Sequence, residues 1–83
     1  MTPREEVFAA INGEREYQTG KWGGESYDRW QSIGDWLAYM RHYLNMAEAA
    51  HTTSDDRNAP LIQIRKVAAL AVACMEVHGA PKR

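Results

Sequence analysis

The chain has 83 residues, a formal net charge of −1 and a single cysteine. That length predicts one domain, 1–83; the charge gives no bulk attraction to nucleic acid, and the lone Cys74 excludes a disulfide within the chain. No apolar run approaches the ~20 residues of a membrane span, so no membrane partner is expected. The opening Met1-Thr2-Pro3-Arg4-Glu5-Glu6 does not read as a signal peptide, and with the single thiol this leads to the expectation of a cytoplasmic protein.

The first helix is predicted over 3–19. Thr2 and Glu5 form a capping box, Pro3 suits the first helical position, and Val7, Phe8 and Ile11 recur at helical spacing. Gly20 is the expected stop. Lys21 to Gln31 reads as a loop carrying Trp22, Tyr27 and Trp30, three rings that either extend a small core or line a pocket. A second helix, 32–50, opens with Ser32 and Asp35 as a second capping pair. Its apolar stripe is Ile33, Trp36, Leu37, Met40, Leu44 and Ala47. The polar stretch after His51 is a surface loop.

Asn58 is the expected cap of a third helix, 59–78, which Gly79 and Pro81 end. Its apolar positions cover more than one stripe, as in a helix packed on several partners. Lys66, Ala69, Ala73 and Glu76 form a small-residue seam, read either as a dimer contact or as the floor of a ligand cleft. The fold class is therefore all-α: a three-helix chain with an antiparallel helical hairpin. So short a chain is poor in core. The expected remedy is a homodimer or higher homo-oligomer that completes a helical bundle.

The densest run of chemically capable side chains is Glu14-Arg15-Glu16-Tyr17-Gln18-Thr19-Gly20-Lys21-Trp22-Gly23. Arg15 and Lys21, with Arg65 and Lys66 of the third helix, could meet phosphate as charged donors. Tyr17 or Trp22 could stack a ring, and Glu14 or Gln18 could hydrogen-bond its edge. The plainer alternative places Trp22 in the core and pairs Arg15 and Lys21 with Glu14 and Glu16. No histidine or cysteine spacing suggests zinc.

Two segments carry a family resemblance. Glu14-Arg15-x-Tyr17-Gln18-x-x-Lys21-Trp22-Gly23, followed by a hairpin that closes with Ile64-Arg65-Lys66-Val67-Ala68-Ala69-Leu70-Ala71-Val72, resembles small MazG-like proteins, which are often encoded by bacteriophages. The resemblance implies an all-α nucleoside triphosphate pyrophosphohydrolase fold, usually oligomeric. Active members hold magnesium with paired carboxylates on two antiparallel helices, because magnesium takes hard oxygen ligands around a polyphosphate. This chain departs there: Ile33-Gly34-Asp35-Trp36-Leu37-Ala38-Tyr39-Met40 offers one carboxylate, and Ile64-Arg65-Lys66-Val67-Ala68-Ala69 none. Accordingly no metal ligand, no cofactor and no catalytic residue is carried over.

The leading expectation is a non-catalytic, phage-type protein, in the cytoplasm of the host cell, that binds a nucleotide or a nucleotide-derived signalling molecule and so counters host defence. Two alternatives stand beside it. One is a modulator that docks on a host protein. The other is a diverged pyrophosphohydrolase, which would require Glu14, Asp35, Glu48 or Glu76 to converge on a cation.

Overall fold

Residues 1–83 are described by a computed structural model containing four helices and no strand: α1 (Pro3–Trp22), α2 (Glu25–Asp28), α3 (Ile33–Thr53) and α4 (Asn58–His78). The all-α class and the α3–α4 hairpin agree with the sequence patterns. Both capping boxes form. The Thr2 hydroxyl accepts from the Glu5 amide at 3.2 Å while the Glu5 carboxylate accepts from the Thr2 amide at 2.9 Å. These bonds hold the exposed Glu5 carboxyl below its ordinary value. Ser32 and Asp35 repeat the arrangement at 3.0 and 2.8 Å.

Where the elements differ from the sequence pattern, local chemistry explains the difference. Helix α1 does not stop at Gly20 but runs through it to Trp22. A helical glycine costs only about 1 kcal/mol relative to alanine, and the extra turn lets Trp22 pack on the core. The stop is Gly23, whose φ of 91° and amide bond to the Thr19 carbonyl close the helix in the left-handed conformation. Gly24 follows with φ 64°, and a Cβ there would lie 2.9 Å from Thr19 Cγ2. Two consecutive glycines thus make a reversal that no other residue pair enters without strain.

The stretch read as a loop contains α2, a single turn. Ser26 Oγ donates to the Gly23 carbonyl at 3.2 Å and tightens its start. Helix α3 continues past residue 50 to Thr53. Asn58 is not the cap of α4. The Arg57 position provides no side-chain cap, and the Asp56 carboxylate instead accepts from the Asn58 amide at 2.9 Å.

Helix α4 is the hub. Helix α3 lies along it as an antiparallel hairpin partner, α1 packs on it from another side, and α2 touches its far end. His78 Nε2 donates to the Gln31 carbonyl at 2.9 Å, fastening the end of α4 to the start of α3. Trp36, Leu70 and Ala73 form the core, with Trp22, Tyr39, Met40, Tyr43 and Cys74 packed around it. Burying a leucine such as Leu70 contributes about 1.5–3 kcal/mol. The alanine seam of α4 is closed inside the chain, with Ala69 and Ala73 fully buried. It is neither a free dimer contact nor an open cleft floor. Much of the expected stripe of α3 faces outward instead: Ile33, Leu37 and Leu44 are exposed.

Ser32→Ala should cost about 1 kcal/mol through loss of the α3 cap, read as a lower urea midpoint with an unchanged denaturant slope.

Candidate functional site

Helix α1 turns Glu14, Arg15 and Gln18 toward the other helices. Arg15 bonds to two of them and to its own. Its Nη2 meets Asp28 Oδ2 of α2 at 2.5 Å, its Nε meets Glu76 Oε1 of α4 at 3.1 Å, and its Nη1 donates to Thr19 Oγ1 at 3.0 Å. The Arg15 and Asp28 side chains are both nearly buried, whereas Glu76 is half exposed. Breaking the Asp28 contact would therefore cost more than breaking the Glu76 contact, which is screened by solvent. Beside this network, Arg65 Nε donates to buried Glu14 Oε1 at 2.9 Å.

The eight residues singled out in the sequence are divided among neighbouring places. Glu14, Tyr17, Arg65 and Lys66 line one open cleft of about 410 Å³. Arg15 lines a second, of about 500 Å³, with Asp28 and Glu76. Gln18 is buried, with its Oε1 unpartnered. Lys21 reaches no carboxylate; its Nζ lies 6.0 Å from the Tyr17 ring and 5.6 Å from the Trp22 ring. The simple pairing of Arg15 and Lys21 with Glu14 and Glu16 does not occur, because Arg15 turns to Asp28 and Glu76 while Glu16 accepts from Asn12 at 3.4 Å.

Trp22 belongs to a third place, a cavity of about 230 Å³ lined by Trp22, Tyr27, Trp36, Tyr39, His42 and Tyr43. Three elements build it. Trp22 ends α1, Tyr27 comes from α2, and Trp36, Tyr39 and Tyr43 stand at successive helical turns of α3. Trp22 and Tyr27 lie 6.5 Å apart at 35°; Trp36 and Tyr39 meet edge to face at 5.9 Å. The Tyr39 hydroxyl donates to Gln31 Oε1 at 2.7 Å. The neighbouring Tyr27 hydroxyl, and then burial, push the Tyr39 phenol up to about 12.

Two further features mark the surroundings of this cavity. Trp36 is 1% exposed, yet its Nε1 has no hydrogen-bond partner; leaving a buried donor unmade costs about 1–3 kcal/mol. Two lysines, neither among the lining residues, also lie near two of its rings. Lys66 Nζ lies 5.4 Å from the Tyr43 ring, and Lys21 Nζ lies over Trp22. Neither lysine is in a salt bridge, in contrast to Arg15 and Arg65.

Of the loop rings, Trp22 and Tyr27 line the cavity, while Trp30 stands 77% exposed with the Arg29 guanidinium 5.7 Å from its ring. Sequence reasoning did not select Trp36, Tyr39, His42 or Tyr43. Their density within 36–43 was the available signal, but read along a helix it is indistinguishable from a core stripe. No three acidic, histidine or cysteine side chains converge on one point, and Glu14 and Glu76 are each turned to an arginine. Compared with protein-family models, curated proteins and solved structures, the chain matches none.

Arg15→Ala should destabilise the fold by about 3 kcal/mol, because it leaves the Asp28 carboxylate buried without its cation. Lys21→Ala should stay within about 0.5 kcal/mol; urea unfolding measures both. Tyr39 generates a pH dependence. The unfolded phenol ionises near 10.0 and the folded one near 12, so its contribution is complete below 10.0 and is lost as pH rises through about 12. Urea midpoints measured across this alkaline interval should fall more steeply for the wild type than for Tyr39→Phe.

Proposed function

We propose that the chain binds a small planar anion of nucleotide type, with its ring in the aromatic cavity and its phosphate on Lys66 and Lys21. The observation that supports this reading is the cavity itself: six ring-bearing side chains, one of them Trp36 with an unpartnered Nε1, and two lysines near its rings that no carboxylate neutralises. Stacking of a base on an aromatic side chain is worth about 1–3 kcal/mol. The Trp36 Nε1 donor would recover a lost hydrogen bond by meeting a ring nitrogen or carbonyl acceptor.

Size and charge narrow the ligand. Whole-ligand pockets run to about 300–1,000 Å³, so a cavity of about 230 Å³ suits one ring system with its charged part outside. An aromatic cage could also take a quaternary ammonium, but the flanking lysines oppose a cation and favour an anion. The MazG-like resemblance of Glu14-Arg15-x-Tyr17-Gln18-x-x-Lys21-Trp22 points toward the same ligand class. Binding without hydrolysis is proposed because the carboxylates nearest the motif, Glu14, Asp28 and Glu76, are held by arginines. For a phage-encoded protein, sequestering a host signalling nucleotide is the use this binding would serve.

The test is titration of adenosine and guanosine triphosphates while following tryptophan emission, in a Trp30→Phe background that removes the exposed ring. Saturable quenching is expected. Lys66→Ala should weaken binding by about tenfold, the equivalent of 1.4 kcal/mol for one phosphate contact, and the corresponding nucleosides should bind more weakly than the triphosphates. No saturable change with either nucleotide, confirmed by calorimetry, sinks the reading.

A further inference from the structure

On the basis of the nucleotide reading, we infer that the ligand carries two rings joined through phosphate. One ring sits in the aromatic cavity, the second stacks on Tyr17, and the phosphate bridge lies on Lys21 and Lys66 between them. The contacts of the two lysines lead to this dinucleotide-type molecule. Lys21 Nζ lies 5.6 Å from the Trp22 ring, which lines the cavity, and 6.0 Å from the Tyr17 ring, which lines the neighbouring cleft. Lys66 Nζ lies 5.4 Å from the Tyr43 ring, another cavity wall, while Lys66 itself lines the cleft. Both lysines, neither of them in a salt bridge, therefore stand at the boundary between the same two concavities.

The cleft beyond that boundary has the chemistry for a second ring. It measures about 410 Å³, and Tyr17 and Ile62 are its two apolar walls. Tyr17 is 61% exposed and Ile62 is exposed beside it, so an aromatic ring and an apolar side chain are both open to a ligand. A Cβ built on Gly13, at the edge of the cleft, would meet nothing within 4 Å, so the approach is clear. Arg65 does not compete for the bridge, because its Nε donates to Glu14 Oε1 at 2.9 Å. The same bond neutralises the one carboxylate that lines the cleft, so no unpaired negative charge opposes an incoming anion.

A mononucleotide uses only part of this arrangement. With its ring in the cavity and its phosphate on the lysines, it leaves Tyr17 in water. A second base covers Tyr17, and aromatic stacking accepts any base because every base has a π-face. Phosphate is the linker that suits the boundary. It places negative charge between the two rings, where each lysine donates a charge-assisted hydrogen bond, whereas an uncharged linker leaves both ammonium groups unpaired. The second ring goes to the Tyr17 side because the other charged cleft, around Arg15, Asp28 and Glu76, has no aromatic residue in its lining.

Titrations followed by tryptophan emission, again in the Trp30→Phe background, test this. They compare a nucleoside triphosphate with two dinucleotides of the same base, one bridged by a tetraphosphate and one by a single phosphodiester. The base is whichever binds more tightly as the triphosphate. At least one dinucleotide should bind roughly tenfold more tightly than the triphosphate, the gain of one stacked base. Tyr17→Ala should remove that advantage, and Tyr17→Phe, which keeps the ring, should retain it. Tyr17 is exposed, so circular dichroism should show both variants folded. No saturable signal with any of these ligands defeats the nucleotide reading and the two-ring ligand together. Saturable triphosphate binding with no tighter dinucleotide overturns the two-ring ligand alone. So does an advantage that survives Tyr17→Ala.

Discussion

The Arg15 guanidinium is the constraint on which the rest of the arrangement depends. It is the one side chain that bonds to α2 and α4 from α1, and it does so from a nearly buried position. A guanidinium suits this because it presents five donors in a rigid fork and keeps its charge at any ordinary pH. Asp28 can be buried only because that charge is beside it. The single turn of α2 is therefore a device for delivering a carboxylate, and the Gly23-Gly24 reversal is what lets so short a segment turn back onto α1. The same turn carries Tyr27 against Trp22, so the ion pair also sets two walls of the aromatic cavity.

A division of labour among the cations follows. Arg15 and Arg65 are consumed by carboxylates and hold helices together. Lys21 and Lys66 have no such partner and rest on rings that line the cavity. In the proposed function the structural and ligand-binding charges are thus different residues, although they are interleaved in the sequence. That separation lets the lysines be substituted without loosening the fold.

Much of the fold was legible from local chemistry. Thr2 with Glu5 and Ser32 with Asp35 announce helix starts because the signals lie within one turn and require no tertiary partner. The Gly20 stop and the Asn58 cap were misread because a stronger local or tertiary effect intervened: Trp22 packs on the core, and Asp56 takes the amide that an Asn58 cap would have left free. Helix α2 was hidden because Asp28 needs Arg15, distant in sequence, to make its turn worthwhile. The candidate site was only partly legible for a geometric reason. Consecutive residues of a helix point about 100° apart, so the dense run from Glu14 to Trp22 divides between an inward face and a flank. The inward members joined the ion-pair network or the cavity wall, and Tyr17 and Lys21 stayed outside.

The chain's energetics sharpen the meaning of the cavity. Only 9 of 83 residues are buried, so there is little apolar burial to spare. Such a domain has a net stability of about 4–12 kcal/mol at ordinary per-residue values. Against that, a buried Trp36 Nε1 with no partner in the chain is a substantial cost. Giving the indole a neighbouring acceptor would relieve it. A ligand that stacks on the rings and accepts from Nε1 would return the same energy on binding. In the proposed function that return would become part of the affinity, and the ring-lined space, not the charged clefts beside α1, is where the ring of the proposed nucleotide would sit.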